Sequence, residues 1–550
     1  MSWLSTQGAR QALLATTKSS RAAGKARALP STWSSWQPSS PSAPSTSQHR
    51  LVSTASPVVG MATPAFECLD AHEARGRRLM AQHAPPMQQQ QQQQEDVSNT
   101  ASTSSGPEPS YSFVTSGYQL FHHNEPLYLD YGRVLPELQL AYETWGTLNE
   151  AKDNAILIHT GLSASSHAKS HGENPARGWW EDFIGPGKAL DTNRFFVICT
   201  NVLGSCYGST GPSSPNPYDP ERAPYGSRFP ILSIFDMVRA QFLLLDHLGI
   251  DSLFASIGSS MGGMQSIAAA HLEPERVKRV VSISGCARSG PSSIALRFAQ
   301  RSVLMSDPNW NRGHYYGPDR LPPHAGMKLA RQIATITYRS GPEWEQRFGR
   351  RRRRAAPGSG QEPSSSELAP ALCPDFEIES YIDHQGESFC LKYDANSLIY
   401  ISKAMDLFDM SDDALEDLDD RRRKAHGQEV ASIKPLAIST DPTSMEEALS
   451  PSPPRAGRRK HIRTLSSPSA HFYLPSLSRG LSRLADTPTL IIGAQSDILF
   501  PIDQQRELAE CLRMAGNSQV RYSELDAPTG HDTFLIDEIN VGGQIRGFLA

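Results

Sequence analysis

The sequence predicts an α/β fold: a mostly parallel sheet with helices on both faces and a helical excursion inserted into it. Three observations carry this. A Gly-x-Ser-x-Gly turn, Gly258 to Gly262, follows the apolar run Leu253-Phe254-Ala255 and precedes the helix-permitting stretch Ser266 to His271. Two continuous apolar runs, Ala155 to His159 and Phe195 to Cys199, read as strands covered on both faces, and Val280 to Ser284, Thr489 to Ile492 and Val520 to Tyr522 extend the series. Between about Cys286 and Met410 the pattern turns helical without strands, where a cap over the turn would sit.

Taken in order, the chain of 550 residues is longer than one ordinary domain, but much of it lacks core-forming pattern. The first 66 residues contain no Asp or Glu and carry Arg10, Lys18, Arg21, Lys25, Arg27 and Arg50 among Ser, Thr and Ala. That composition predicts a mitochondrial transit peptide over 1–60 and a matrix location, the alternative being a plain tail on a cytoplasmic protein. A disordered Gln/Ser-rich linker over 61–110 follows, with seven glutamines at Gln88 to Gln94.

Folded chain is expected from Tyr111, the first part of the α/β core running over 111–285. Leu127 to Leu129 and Leu138 to Tyr142 alternate as antiparallel strands do. Ser233 to Leu248 reads as a helix, with Ser233 as N-cap, Asp236 at N3 and Gly249 just past the end. The cap is expected over 286–410, broken by a basic low-complexity insert near 350–374. A second low-complexity insert is expected over 411–480, and the rest of the core over 481–550. The basic clusters Arg350 to Arg354 and Arg421 to Lys424 are flanked by acids and read as solvated loops rather than nucleic-acid sites.

Composition excludes several classes. A net charge of −4 offers no global field for nucleic acid or a membrane surface, and no run approaches the roughly 18 apolar residues of a membrane span. Seven scattered cysteines without a C-x-x-C pair argue against a disulfide scaffold or a structural zinc site, and no metal is expected.

The chemistry starts at the turn. Gly258 and Gly262 leave room for a bend too sharp for side chains, which pushes Ser260 Oγ above the sheet edge as a nucleophile. Met261 then opens a helix, so its N–H is one candidate donor to an oxyanion; the N–H of Leu162, after the strand 155–159, is the second. A nucleophilic serine needs a base and a group to orient it. Asp497 lies just past a buried strand, and His531 follows the next strand after a turn with Pro528 and Gly530, in the order Ser, acid, His.

Beyond the elbow stand Ala141 to Gly146 (AYETWG), Gly178 to Trp180, Ile184 to Lys188, Asn201 to Cys206, Gly208 to Ser214, Asp307 to Trp310 and Asp394 to Ser397. With these, in this order over about 111–550, the chain resembles the homoserine/serine O-acyltransferase family of α/β hydrolases, and most of all its fungal mitochondrial serine branch. The resemblance implies ping-pong acyl transfer with no bound cofactor, acetyl-CoA entering as acyl-donor substrate. It implies that Arg331 grips the carboxylate of an amino-acid acceptor and that Asp532 contacts its amine, and it admits a homodimer. Leu203-Gly204-Ser205-Cys206 and the loop Gly161 to His167 resemble the serine-acylating enzymes more than the homoserine ones. L-Serine is therefore the expected acceptor and O-acetylserine, for cysteine biosynthesis, the product; L-homoserine, for methionine biosynthesis, is the alternative. A hydroxymethyl at Ser205 would shorten the acceptor pocket if it lines one. Two rival readings use the same fold: a hydrolase that deacylates with water, and a scaffold that has lost catalysis. The Arg331 and Asp532 clamp argues against the first, and the intact Ser260, Asp497, His531 set against the second.

Overall fold

The computed structural model describes residues 115–550 apart from 318, 354–371, 373 and 427–472. The expected presequence, the Gln/Ser linker and the centres of both inserts lie outside the described residues. The core is an eight-stranded sheet. Its strands are β1 (Gln119–His123), β2 (Leu138–Trp145), β3 (Ala155–His159), β4 (Phe196–Thr200), β5 (Ala255–Ser259), β6 (Val280–Ile283), β7 (Thr489–Ala494) and β8 (Val520–Leu525). They lie side by side in the order β1-β2-β4-β3-β5-β6-β7-β8. β2 runs antiparallel to both β1 and β4, and every other pairing is parallel.

Period-two alternation sends each strand's apolar side chains to two cores. Ile156 and Ile158 of β3 join Ile257, Val281 and Ile492 on one face, against Trp180, Phe183 and α12 (Glu538–Leu549). Ala155 and Leu157 join the other face, against α1 (Ile234–His247), α2 (Met261–Leu272) and α10 (Ile502–Met514). This double cover explains why β3 is apolar from Ala155 to Ile158 and wholly buried. α1 begins as expected: Ser233 Oγ accepts from Asp236 N at 2.9 Å, and Asp236 Oδ2 accepts from Ser233 N at 2.9 Å. Gly249, at φ +64°, ends it.

Between β6 and β7 the chain builds the cap from α3 (Pro291–Met305), α4 (His324–Tyr338), α5 (Gly341–Arg347), α6 (Glu377–Cys390) and α7 (Ala395–Asp406). α4 packs on α3 and α6, and α3 on α7. No helix among the described residues is long and apolar enough to cross a membrane.

The expected second insert, 411–480, needs correction at both ends. It opens with α8 (Asp412–His426) and closes with α9 (Leu474–Gly480). Arg421 to Lys424 therefore lie on a helix, where Arg421, Arg422 and Arg423 pair with Asp417, Asp419 and Asp420. Leu418 and Ala425 are buried, and the His426 ring stacks on Tyr128 at 4.2 Å. In the other basic cluster Arg351 pairs with Glu377 and Arg352 with Asp375, each at 2.8 Å.

Candidate active site

The elbow is built from close backbone contacts. Ser260 holds φ 60° and ψ −125°, a conformation that costs a side-chain-bearing residue about 1–3 kcal/mol. Missing side chains make the space. A Cβ on Gly258 would lie 2.0 Å from Gly262 O, and a Cβ on Gly262 would lie 2.1 Å from His159 O. Ser260 N donates to Ile283 O at 2.8 Å, which ties the turn to β6. Met261 is the first residue of α2, so its N–H has no intrahelical acceptor and sits at the positive helix end.

Asp497 stands just past β7, where its Oδ1 accepts from Leu499 N at 2.9 Å and Phe500 N at 2.8 Å. Its Oδ2 lies 2.6 Å from His531 Nδ1. The acceptor carboxylate holds the ring proton on Nδ1, leaving Nε2 as the basic nitrogen. Phe500 stacks on the imidazole at 5.0 Å and Phe534 meets it edge-on at 5.3 Å, so the ring is fixed in place. His531 Nε2 is buried with no hydrogen-bond partner among the described residues.

A cavity of about 370 Å³ opens at this point. Ser260, His531, Leu162, Arg331 and Asp532 all line it, so sequence-predicted residues from four separate stretches converge on one space. Met261 is not among the lining residues, its side chain being fully buried. Leu162 is held from behind, its carbonyl accepting from Tyr393 Oη at 2.7 Å.

Arg331 on α4 lies over the Phe389 ring at 4.3 Å and the Tyr338 ring at 5.1 Å. Its Nε is buried without a partner, and it makes no ion pair among the described residues. A guanidinium left this way in a cavity is arranged for an anion. Asp532 differs from expectation in one respect: its Oδ2 already accepts from Arg339 Nη2 at 3.0 Å. Burial raises the Asp532 pKa above the usual carboxylate value, and the charges of Arg339, His531 and Arg331 hold it down again in part.

Several lining residues carried no sequence signal. Tyr338, Arg339, Arg297 and Gln300 lie on or beside cap helices, where one polar residue looks like any other exposed position. Ser205 needs correction in the other direction. It is fully buried and is not among the residues lining the cavity, so it does not shorten an acceptor pocket. The loop Gly161 to Ala164 does line it.

Beside the site, Glu143, His167 and His171 bring three metal-capable atoms within 4.8 Å of one another. Their hydrogen bonds account for the arrangement: Glu143 Oε2 lies 2.8 Å from His167 Nδ1 and 2.8 Å from His171 Nε2, while His167 Nε2 donates to Ala176 O at 2.8 Å. This network anchors the cavity loop to β2.

The chain matches the alpha/beta hydrolase fold family model over residues 154–538. It is 55% identical over 489 residues to a serine O-succinyltransferase of Emericella nidulans, covering 88% of this chain and 87% of that one. It is 53% identical over 498 residues to a serine O-succinyltransferase of Schizosaccharomyces pombe, covering 88% and 94%. Among solved structures, a homoserine O-acetyltransferase from Bacillus anthracis superposes with a TM-score of 0.58 at 25% identity, covering 78% of this chain and 97% of its own. Esterase E22 gives a TM-score of 0.59 at 26% identity, covering 79% and 99%. The chain belongs to the α/β-hydrolase fold family. Within it, the chain belongs with the homoserine/serine O-acyltransferases.

Proposed function

We propose that this protein is a serine O-succinyltransferase that moves a succinyl group from succinyl-CoA to the hydroxyl of L-serine by a ping-pong mechanism. Ser260 Oγ bonds to the thioester carbonyl carbon as its proton passes to His531 Nε2. The C–S bond breaks, and the CoA thiolate leaves with that proton. The acceptor hydroxyl then gives its proton to Nε2 while its oxygen attacks the acyl-enzyme carbonyl, and Ser260 Oγ departs with the proton. Asp497 holds the imidazole and offsets the imidazolium charge in both halves. The N–H groups of Leu162 and Met261 receive the tetrahedral oxyanion, a contribution of roughly 3–4 kcal/mol each.

The observation that carries an amino-acid acceptor, rather than water, is Arg331: a cation with an unpartnered buried Nε in the cavity of Ser260 and His531. The acetyl donor expected from sequence rested on branch resemblance alone. The fungal relatives are named for succinyl transfer, and that supports succinyl-CoA instead. Serine over homoserine now rests on the same relatives and on the cavity loop, since Ser205 does not line the cavity. The test is thiol release from succinyl-CoA and acetyl-CoA, each with L-serine and with L-homoserine. The succinyl-CoA and serine pair is expected to give the highest kcat/KM. Turnover that ignores the amino acid would point to a hydrolase, and preference for homoserine would overturn the acceptor.

A further inference from the structure

A second cationic group lines the same cavity from α3. Arg297 Nε donates to Asp406 Oδ1 at 2.6 Å and its Nη2 to Ser289 Oγ at 3.0 Å. Its Nη1 is buried with no hydrogen-bond partner among the described residues. Arg301, one turn further along α3, also bonds Asp406, and its Nη1 donates to Ser402 Oγ at 3.2 Å. Two guanidinium groups thus share one carboxylate, and all three side chains are at most 8% exposed. The cluster carries a net positive charge in a largely buried position on the cavity wall, an arrangement that favours an anion. Leu398, Met405 and Leu499 line the cavity with Arg297 and supply apolar wall.

Arg331 and Arg297 stand on different cap helices, and each has an unpartnered nitrogen. Arg339 also has an unpartnered Nε, but it pairs with two carboxylates, Asp532 and Glu343, whereas Arg297 shares its one carboxylate with Arg301. The ester formed from a succinyl group and serine carries two carboxylates, one from the amino acid and one at the far end of the acyl chain. Resting on the succinyl reading above, we infer that Arg297 receives the distal carboxylate of the succinyl group and sets the choice of succinyl-CoA over acetyl-CoA. Asp406 and Ser289 orient the guanidinium so that Nη1 is the nitrogen left for the ligand. The apolar wall of Leu398, Met405 and Leu499 suits the two methylenes between thioester and carboxylate.

The test measures kcat/KM for both donors, with serine as acceptor, in the wild type, Arg297→Met and Arg297→Lys. The readout is the succinyl-to-acetyl ratio, because a purely structural role would lower both donors together and leave the ratio alone. Arg297→Met should lower that ratio by about tenfold to a hundredfold, the worth of one charge-assisted hydrogen bond. Arg297→Lys keeps the charge against Asp406 and should lower it less. If Arg297→Met does not fold, the lysine variant decides: a ratio lowered several-fold supports the assignment, and an unchanged ratio overturns it. A wild type that prefers acetyl-CoA overturns the succinyl reading itself. A wild type that prefers succinyl-CoA, with an unchanged ratio in the variants, overturns only the role of Arg297.

Discussion

Asp497 Oδ2 lies 2.6 Å from His531 Nδ1, while the opposite ring nitrogen, Nε2, is buried and has no partner among the described residues. The carboxylate thereby fixes both the tautomer and the direction in which the imidazole presents its basic nitrogen. Asp497→Asn keeps the shape but reverses the preference at Nδ1. It should lower kcat by about 10³- to 10⁴-fold with KM nearly unchanged. Steady-state kinetics check this, and a loss under tenfold would remove Asp497 from the orienting role.

The elbow makes a steric prediction. Gly258→Ala places a Cβ 2.0 Å from Gly262 O, a backbone atom that cannot swing away. Overpacking of this severity should cost at least about 3 kcal/mol or prevent folding. Gly543→Ala is the control: it lies in α12, exposed, and its new Cβ would have nothing within 4 Å. That change should stabilise by roughly 0.4–1 kcal/mol through helix propensity and chain entropy. Chemical denaturation of the two variants beside the wild type gives the comparison, and equal midpoints would contradict the account of the turn.

Arg331→Lys separates the half-reactions. Acylation of Ser260 makes no demand on an amino-acid carboxylate, so the burst of CoA release should persist. Transfer to serine should weaken by about 1.5–3 kcal/mol, because lysine loses the planar fork that Phe389 and Tyr338 now hold in place. Rapid-mix measurement of thiol release, with and without serine, resolves the two steps. A slowed burst with intact serine dependence would assign Arg331 to the donor or to the fold.

Two buried histidines predict the acid limb of stability. Burial lowers His159 from the ordinary 6.5 to about 3, against a weaker pull from its hydrogen bond with Gln241. Burial, with the charge of Arg483, lowers His271 to about 4. The unfolded chain takes up these protons near 6.5 and the folded chain does not. Their stabilisation is therefore complete above about pH 6.5 and is lost as pH falls towards the folded values, by up to about 1.4 kcal/mol per pH unit for each residue. Urea titrations between about pH 7.5 and pH 5.5 should show a falling midpoint, with a shallower fall in His271→Gln. A midpoint that rises on acidification, or an unchanged slope in the variant, would contradict this.

How much of this was legible in the sequence follows from the physics of each signal. Ser260, Asp497 and His531 announce themselves because strand ends, glycines and chain order are local. β3 is legible because burial on both faces demands a continuous apolar run. β1 was not, since Gln119–His123 is an edge strand with only Phe121 buried. α8 was hidden because Leu418 and Ala425 form a thin apolar stripe among charges that satisfy one another along the helix. Arg297 and Arg339 owe their meaning to side chains far away in the chain, Asp406 for one and Asp532 for the other. No local pattern encodes that.

The central claim is that Ser260 carries the acyl group between donor and acceptor. Its most direct test is intact-protein and peptide mass spectrometry after mixing the enzyme with succinyl-CoA alone and then adding L-serine. The expected result is one succinyl group on the peptide that contains Ser260, absent in Ser260→Ala, and discharged by serine as O-succinylserine far faster than by water. An enzyme that turns over with no covalent adduct, or with an adduct on another residue, would contradict the account.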